Sequence, residues 1–474
     1  MLHTSIMPYT RLAVALAGII GAGMLSPPFI HALEAHADGQ VLVPLFVACI
    51  VFMLGSFAQY ATLGTAVPSS VAAVVFGLAA HPLLSAIPAH PHAMMALVSA
   101  AAAYILFRNG LETRWEDLEK RAWKIFPLSL LGFFVTSFLF SIVFYWLGQA
   151  FGHEVSLAAA VLAGAVLASA DPTALIETLR RIRLREGRGT LKEIATAEST
   201  LTGVLGTLLV SVFVFTIDQH MPFDSIAAAY GAMISFEMTA FLFSQVFWGI
   251  VIGGLGYLLL DAFHVRRGAD PTPLYARLRK ALRRPHIAQR AYEESPADMP
   301  FFFTIPLLAF TVALAMHGSG YLAVFVAGLL PGALHHLHQT RRFFGDSVDT
   351  FFRPAIFVIV GCVADIGTLI DYAPIGIVAA LLLMFVIRPI AVFVSLSYWI
   401  RPGRERMDGK DLLFLSFASG AGTITAALLI TLVGLGQGEA SLVATGTWVL
   451  LVALGTQPSL TPYVSHRLGL TVET

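Results

Sequence analysis

The chain has 474 residues, 57% of them hydrophobic and 12% charged, with a formal net charge of zero. A soluble protein carries roughly twice that charged fraction, so a soluble globular fold is excluded, and the neutral balance gives no pull toward nucleic acid. Apolar runs of about 20 residues recur from end to end, long enough for a hydrocarbon core of roughly 30 Å, and lack the period-2 alternation of a membrane barrel. The fold class is therefore an all-α polytopic membrane protein.

In chain order the predicted spans cover residues 12–32, 41–62, 67–86, 93–110, 126–149, 155–176, 191–217, 234–261, 301–316, 319–337, 351–370, 373–399, 411–433 and 440–457. Residues 1–37 read two ways. Ala35-His36-Ala37 before Asp38 fits a signal-peptide cleavage site, and the same stretch fits a retained first helix. Cleavage leaves 13 helices and retention leaves 14. Residues 38–217 form a first six-helix repeat, 218–262 a connecting helix, 263–300 a basic loop, 301–457 a second six-helix repeat and 458–474 a tail. One connecting helix between two six-helix halves turns them opposite ways up, the inverted-repeat plan of many secondary transporters.

Lys and Arg set the orientation. One set of alternate loops holds Arg108, Arg114, Lys120, Arg121 and Lys124, then Arg180 to Lys192, the loop 263–300, Arg341 and Arg342, and Arg401 to Lys410. The other set (AFGHEV, DQHMPFDS, HGSG, LIDYAP, GLGQGEA) holds none. The basic loops and the C-terminus are therefore expected in the cytoplasm, with the loop 263–300 lying against anionic headgroups. A bacterial inner membrane fits this pattern. Cys49 and Cys362 lie in apolar runs and read as buried free thiols. His335, His336 and His338 read as a solvated helix end rather than a metal site. No metal and no cofactor is expected.

Charges at membrane depth are few, so each is informative. Asp171 lies in the sixth span, Glu198 in the seventh and Arg388 in the twelfth. Pro172 follows Asp171, lacks an N–H and clashes with the carbonyl four residues back, so the helix breaks there. Unwound backbone beside a carboxylate suits a small cation, and Ser169 and Thr173 add hydroxyl oxygens. The plainer alternative is a helix end at the basic loop. The matching span of the second half, LLFLSFASGAGTITAALLI, carries Ser419-Gly420-Ala421-Gly422-Thr423 in its middle, which permits a second broken helix. Glu198 and Arg388 are expected to pair and tie the halves together.

The runs ASADPTALIETLRRIRL and AESTLTGVLGTLLV, with VPSSVAAVVFGLAAHPLL, ILFRNGLE, FFRPAIFVIVGCVADIG and IRPIAVFV, resemble the monovalent cation:proton antiporters of the sodium/proton exchanger branch. The resemblance covers residues 41–457. It implies two inverted repeats, two broken helices crossing around Pro172 and around Gly420 and Gly422, a homodimer, and elevator-like exchange of a monovalent cation for protons. It implies a cation site at Asp171 and a Glu198–Arg388 ion pair.

The departures concern the core. The family pattern places Asn-Asp two residues after Glu-Ser; here Thr202-Gly203 stand there. The family's Arg-Gly pair on the second broken helix is Ser419-Gly420. A carboxylate and a cation are thus both missing. Exchange at one site needs a group that is negative with a cation and neutral with a proton, and Asp171 is left for that role. Ser199 and Thr202 offer neutral oxygens, and Gly203 is expected to leave room for a water beside Asp171. The competing readings are a transporter with altered or no coupling, and a non-transporting sensor. An enzyme fits least, since no nucleophile and base share membrane depth.

Overall fold

A computed structural model of the chain describes residues 2–35, 39–84, 91–113, 115–180, 182–185, 188–219, 224–266, 298–329, 338–397 and 407–471. Among these, eight helices are long and apolar enough to cross a membrane, and one further pair passes together across a 46° bend. This is a multi-pass membrane protein. Several predicted spans are shorter than drawn, because a proline or glycine interrupts them. The basic loop lies almost wholly outside the described residues, as do His335 and His336.

The chain forms two compact units. The first comprises residues 1–99, 123–233 and 350–474. It opens with α1 (Leu2–Leu25), α2 (Pro27–Glu34), α3 (Gly39–Ala61) and α4 (Ser69–Ala79). Next come the start of α5 (Pro91–Glu112), most of α6 (Trp115–Phe151), then α7 (Leu157–Leu167), α8 (Pro172–Arg180), α9 (Thr190–Asp218) and α10 (Ile226–Ala232). The second unit, residues 100–122 and 234–349, holds the end of α5, α11 (Phe236–Arg266), α12 (Met299–Ala315), α13 (Gly320–Leu329) and α14 (His338–Ser347). The chain then re-enters the first unit through α15 (Arg353–Val363), α16 (Ile366–Asp371), α17 (Ala373–Leu382), α18 (Arg388–Leu396), α19 (Gly409–Ala418), α20 (Thr423–Gly434) and α21 (Ala440–Arg467). π-helical turns precede α15 (Val348–Phe352) and α18 (Leu383–Ile387).

Both units contain helix contacts in which a glycine lies against the backbone of a neighbouring helix. In the first, a methyl at Gly77 of α4 would collide with the Val358 carbonyl of α15, and one at Gly361 with the Val74 carbonyl. In the second, a methyl at Gly110 of α5 would stand 2.5 Å from the Phe325 carbonyl of α13, and one at Gly328 would collide with the Phe107 carbonyl. Small residues at these four positions let helices approach closely, the commonest packing device in a bilayer.

Two helix interruptions shape the first unit. Ser156 caps α7, accepting from the Ala159 N–H at 3.0 Å. The helix stops at Leu167, because Pro172 cannot donate to Ala168 and the residue before a proline avoids the α region. Residues 168–171 are irregular, and α8 restarts at Pro172 and runs to Arg180. Asp171 therefore sits at a break between two helices, with α8 between it and the basic loop. The Lys192 ammonium closes the far end of this helix, donating to the carbonyls of Leu179 at 2.6 Å and Ile182 at 2.5 Å, a favourable place for a cation. The second interruption lies between α19 and α20. Ser419 is extended (φ −121°, ψ 141°), and helix resumes at Thr423. Arg188 binds Asp408 at 3.1 Å and also Asp411, which fastens the loop after α8 to the start of α19.

Cys49 is exposed, contrary to the expectation of two buried thiols, because it falls on the outward side of α3; Cys362 is buried. Both are free.

Candidate ion site

The two helix interruptions touch. Asp171 is 2% exposed, and its Oδ2 accepts the backbone N–H of Thr423 at 2.9 Å. The carboxylate thus sits on the positive end of α20. Thr425 donates from Oγ1 to the Ser169 carbonyl at 2.9 Å, and the two hydroxyls lie 3.1 Å apart. Gly422 faces Asp171 so closely that a methyl there would collide with the aspartate Cβ. The junction thus holds a carboxylate, two hydroxyls and backbone freed from helical bonding, oxygen donors of the kind that suit a hard cation such as an alkali ion.

Beside this meeting point, Arg388 donates from Nη2 to Glu198 Oε1 at 3.1 Å, both side chains being buried. The Arg388 Nε is buried without a hydrogen-bond partner among the described residues. Arg388 lines a cavity of about 30 Å³ together with Ser169, Ala170, Ser419, Gly420 and Gln457. That is room for one or two waters. The carboxamide of Gln457 lies directly against Gly420, where a methyl would collide with it.

The other predicted residues fall as follows. Ser199 reaches the second break, its hydroxyl donating to Ser419 Oγ at 3.3 Å. Thr202 is buried, but its hydroxyl turns back on its own helix, to the carbonyls of Glu198 at 3.0 Å and Ser199 at 3.1 Å. The side chain of Thr173 lies outside the described residues. Gly203 does not leave the expected water-sized void. A methyl there would already stand 3.0 Å from the Ala170 carbonyl, because the unwound backbone before Pro172 moves into the space.

Three residues at the site were not predicted. Thr423 and Thr425 stand in the run that marks the second break, and a hydroxyl one or three residues after a helix-breaking glycine is the signal that pointed to them. Arg353 donates from Nε to Thr423 Oγ1 at 3.2 Å. In sequence it stands at the very start of a predicted span, where nothing distinguishes it from an interfacial residue.

This arrangement defines a class: an α-helical membrane protein with a buried carboxylate held where two interrupted helices meet. The sodium/hydrogen exchanger transmembrane family model matches residues 60–466, and the chain belongs to that family. It is similar to the K(+)/H(+) antiporter NhaP2 of Shewanella baltica, 22% identical over 333 residues, covering 70% of this chain and 50% of that one. It is also similar to the Na(+)/H(+) antiporter NhaP of Pseudomonas aeruginosa, 25% identical over 273 residues, covering 54% and 53%. The chain spans about half the length of these relatives. In fold it matches the sodium proton antiporter MjNhaP1 of Methanocaldococcus jannaschii, with a TM-score of 0.57, 20% identity, and coverage of 98% of this chain and 99% of that one.

Proposed function

We propose that this chain is a secondary active transporter that exchanges a monovalent cation, Na+ or K+, for protons, with Asp171 as the exchange carboxylate. The observation that carries the reading is the buried Asp171 on the Thr423 N–H, at a junction of two interrupted helices that Ser169 and Thr425 also bridge. A cation and a proton each neutralise this carboxylate, and neither tolerates the other there. Competition for one group is the simplest source of coupled exchange. Relatives carry names for either cation, so Na+ and K+ both stay in the reading.

The finer architecture belongs to the same proposal. The interrupted helices α7/α8 and α19/α20 hold the same rank in each six-helix half. So do the glycine contacts: α4 with α15, and α5 with α13, exchange under a two-fold relation between the halves. These correspondences support two inverted repeats with crossed broken helices. They suit elevator-like alternating access, in which a site near mid-depth moves past a fixed partner. A homodimer in a bacterial inner membrane, with a cytoplasmic C-terminus, completes the picture. Glu198 and Arg388 act structurally and tie the halves together.

A second reading is a transporter-fold protein with altered or absent coupling. The Ala170 carbonyl filling the space at Gly203 favours it, since the core is closed where the family pattern has its second carboxylate. Proton flux driven by sodium, potassium or lithium jumps in proteoliposomes separates the two. Flux in the wild type that disappears in Asp171→Asn supports exchange at Asp171. No flux from well-folded wild type overturns it in favour of the second reading.

A further inference from the structure

We propose that Arg353 is a tethered positive charge that sets the cation affinity of the Asp171 site, acting through Thr423. The inference rests on the reading of Asp171 as the exchange carboxylate. Thr423 is held from two directions. Its N–H donates to Asp171 Oδ2 at 2.9 Å, and its hydroxyl accepts from Arg353 Nε at 3.2 Å. One fully buried residue thus joins a carboxylate to a guanidinium across two helices.

The arginine is delivered there by its surroundings. It is the first residue of α15, where a π-helical turn hands over to α-helix, and such turns recur at functional sites. Its two neighbours are fixed. Phe352 packs edge-on to Phe52 of α3 at 5.9 Å. Pro354 lies against Gly55, where a methyl would stand 2.9 Å from the proline Cβ. With Phe352 and Pro354 held against α3, the Arg353 backbone is anchored and its side chain points to the start of α20.

The physical consequence follows from charge. A guanidinium stays protonated at every working pH. Held one residue from Asp171, it lowers the attraction of the site for an incoming cation, and it offsets the carboxylate when no cation is bound. By accepting from Arg353, the Thr423 oxygen also turns a lone pair away from the ion. Removing the charge makes the local potential more negative whatever else Arg353 touches, so cation affinity rises and KM falls when measured at a pH high enough that protons do not compete for the site. At an effective dielectric of about 20, a unit charge roughly 5–10 Å away changes the affinity by about tenfold or more. The positive charge that the sequence lacks at Ser419 is thereby restored to the same junction from a different helix.

The test is the Michaelis constant for cation-driven proton flux in proteoliposomes, for wild type, Arg353→Gln, Arg353→Lys and Asp171→Asn, each checked for monodispersity. The expected result is a KM lower by about tenfold or more in R353Q, with R353K much closer to wild type. A helix-packing role alone would lower the maximal rate or the yield and leave KM in place. R353Q and R353K both at the wild-type KM, with D171N silent, overturn the role of Arg353 and leave Asp171 standing. Wild-type flux and KM in D171N overturn the Asp171 reading and this inference with it. If wild type is silent, flux gained in R353Q supports the inference, and silence in R353Q overturns it.

Discussion

Arg388 and Glu198 form a buried ion pair at 3.1 Å, while the buried Nε of the same guanidinium has no acceptor among the described residues. Removing one partner leaves an uncompensated buried charge. Glu198→Ala is expected to destabilise by about 3 kcal/mol or more, measured as a loss of Tm and of monodisperse protein in detergent. The double change Glu198→Leu with Arg388→Leu is expected to recover most of it, because the uncompensated charge is gone. A double variant no better than E198A would show that the pair does more than neutralise itself.

Gly422→Ala places a methyl against the Asp171 Cβ. Overpacking of this kind costs about 1–3 kcal/mol. The two helix interruptions should be pushed apart, so cation-dependent thermal stabilisation should fall with Tm. Retention of both in G422A would mean that the junction is looser than described.

Thr425→Val keeps the shape and removes the hydroxyl that binds Ser169. The Ser169 carbonyl then loses its partner, at a cost of about 1–2 kcal/mol. Thr431→Val serves as the comparison, since its hydroxyl bonds only within its own helix, to Ala427. Equal Tm losses in both variants would remove any special weight from the Thr425 contact.

Gly203→Asp tests whether a second carboxylate can be returned to the core. The Ala170 carbonyl already stands 3.0 Å from where the first side-chain atom would go. The new carboxylate would meet a carbonyl oxygen near Asp171, so G203D should fold less well and gain no flux. Higher flux in a stable G203D would mean that residues 168–171 can withdraw.

Asp365 caps α16, accepting from the Thr368 N–H and hydroxyl at 2.8 Å each. These bonds, with a smaller contribution from His81, hold its carboxyl below the usual carboxylate range. The stabilisation is present above the unfolded value near 3.9 and is lost as pH falls through the lower folded value. Asp365→Asn should therefore lower Tm slightly at pH 7, with the gap closing toward pH 3. A gap independent of pH would show that charge is not involved.

Much of this molecule is written in chemistry that acts locally. Pro172 must interrupt its helix, and a run with two glycines and several hydroxyls tolerates an interruption, so both breaks could be drawn from sequence. What could not be drawn is which atoms the breaks present to each other. The choice of the Thr423 N–H as the partner of Asp171, and the backward turn of the Thr202 hydroxyl, depend on how the helices pack. Gly203 is the plainest case. An absent side chain reads as space in sequence, yet backbone from the next helix has taken that space. Arg353 is illegible for a related reason, because a charge at the start of a span usually faces water.

The glycine contact between α4 and α15 has a mechanical consequence. Where Gly77 and Gly361 meet, carbonyl presses on α-carbon, with no layer of rotamers between the helices to slide or compress. The two helices are welded at that point and must travel as one strut. Arg353 is the first residue of one member of that strut, so its reach toward Thr423 can change only if the strut as a whole is displaced or α20 moves away from it.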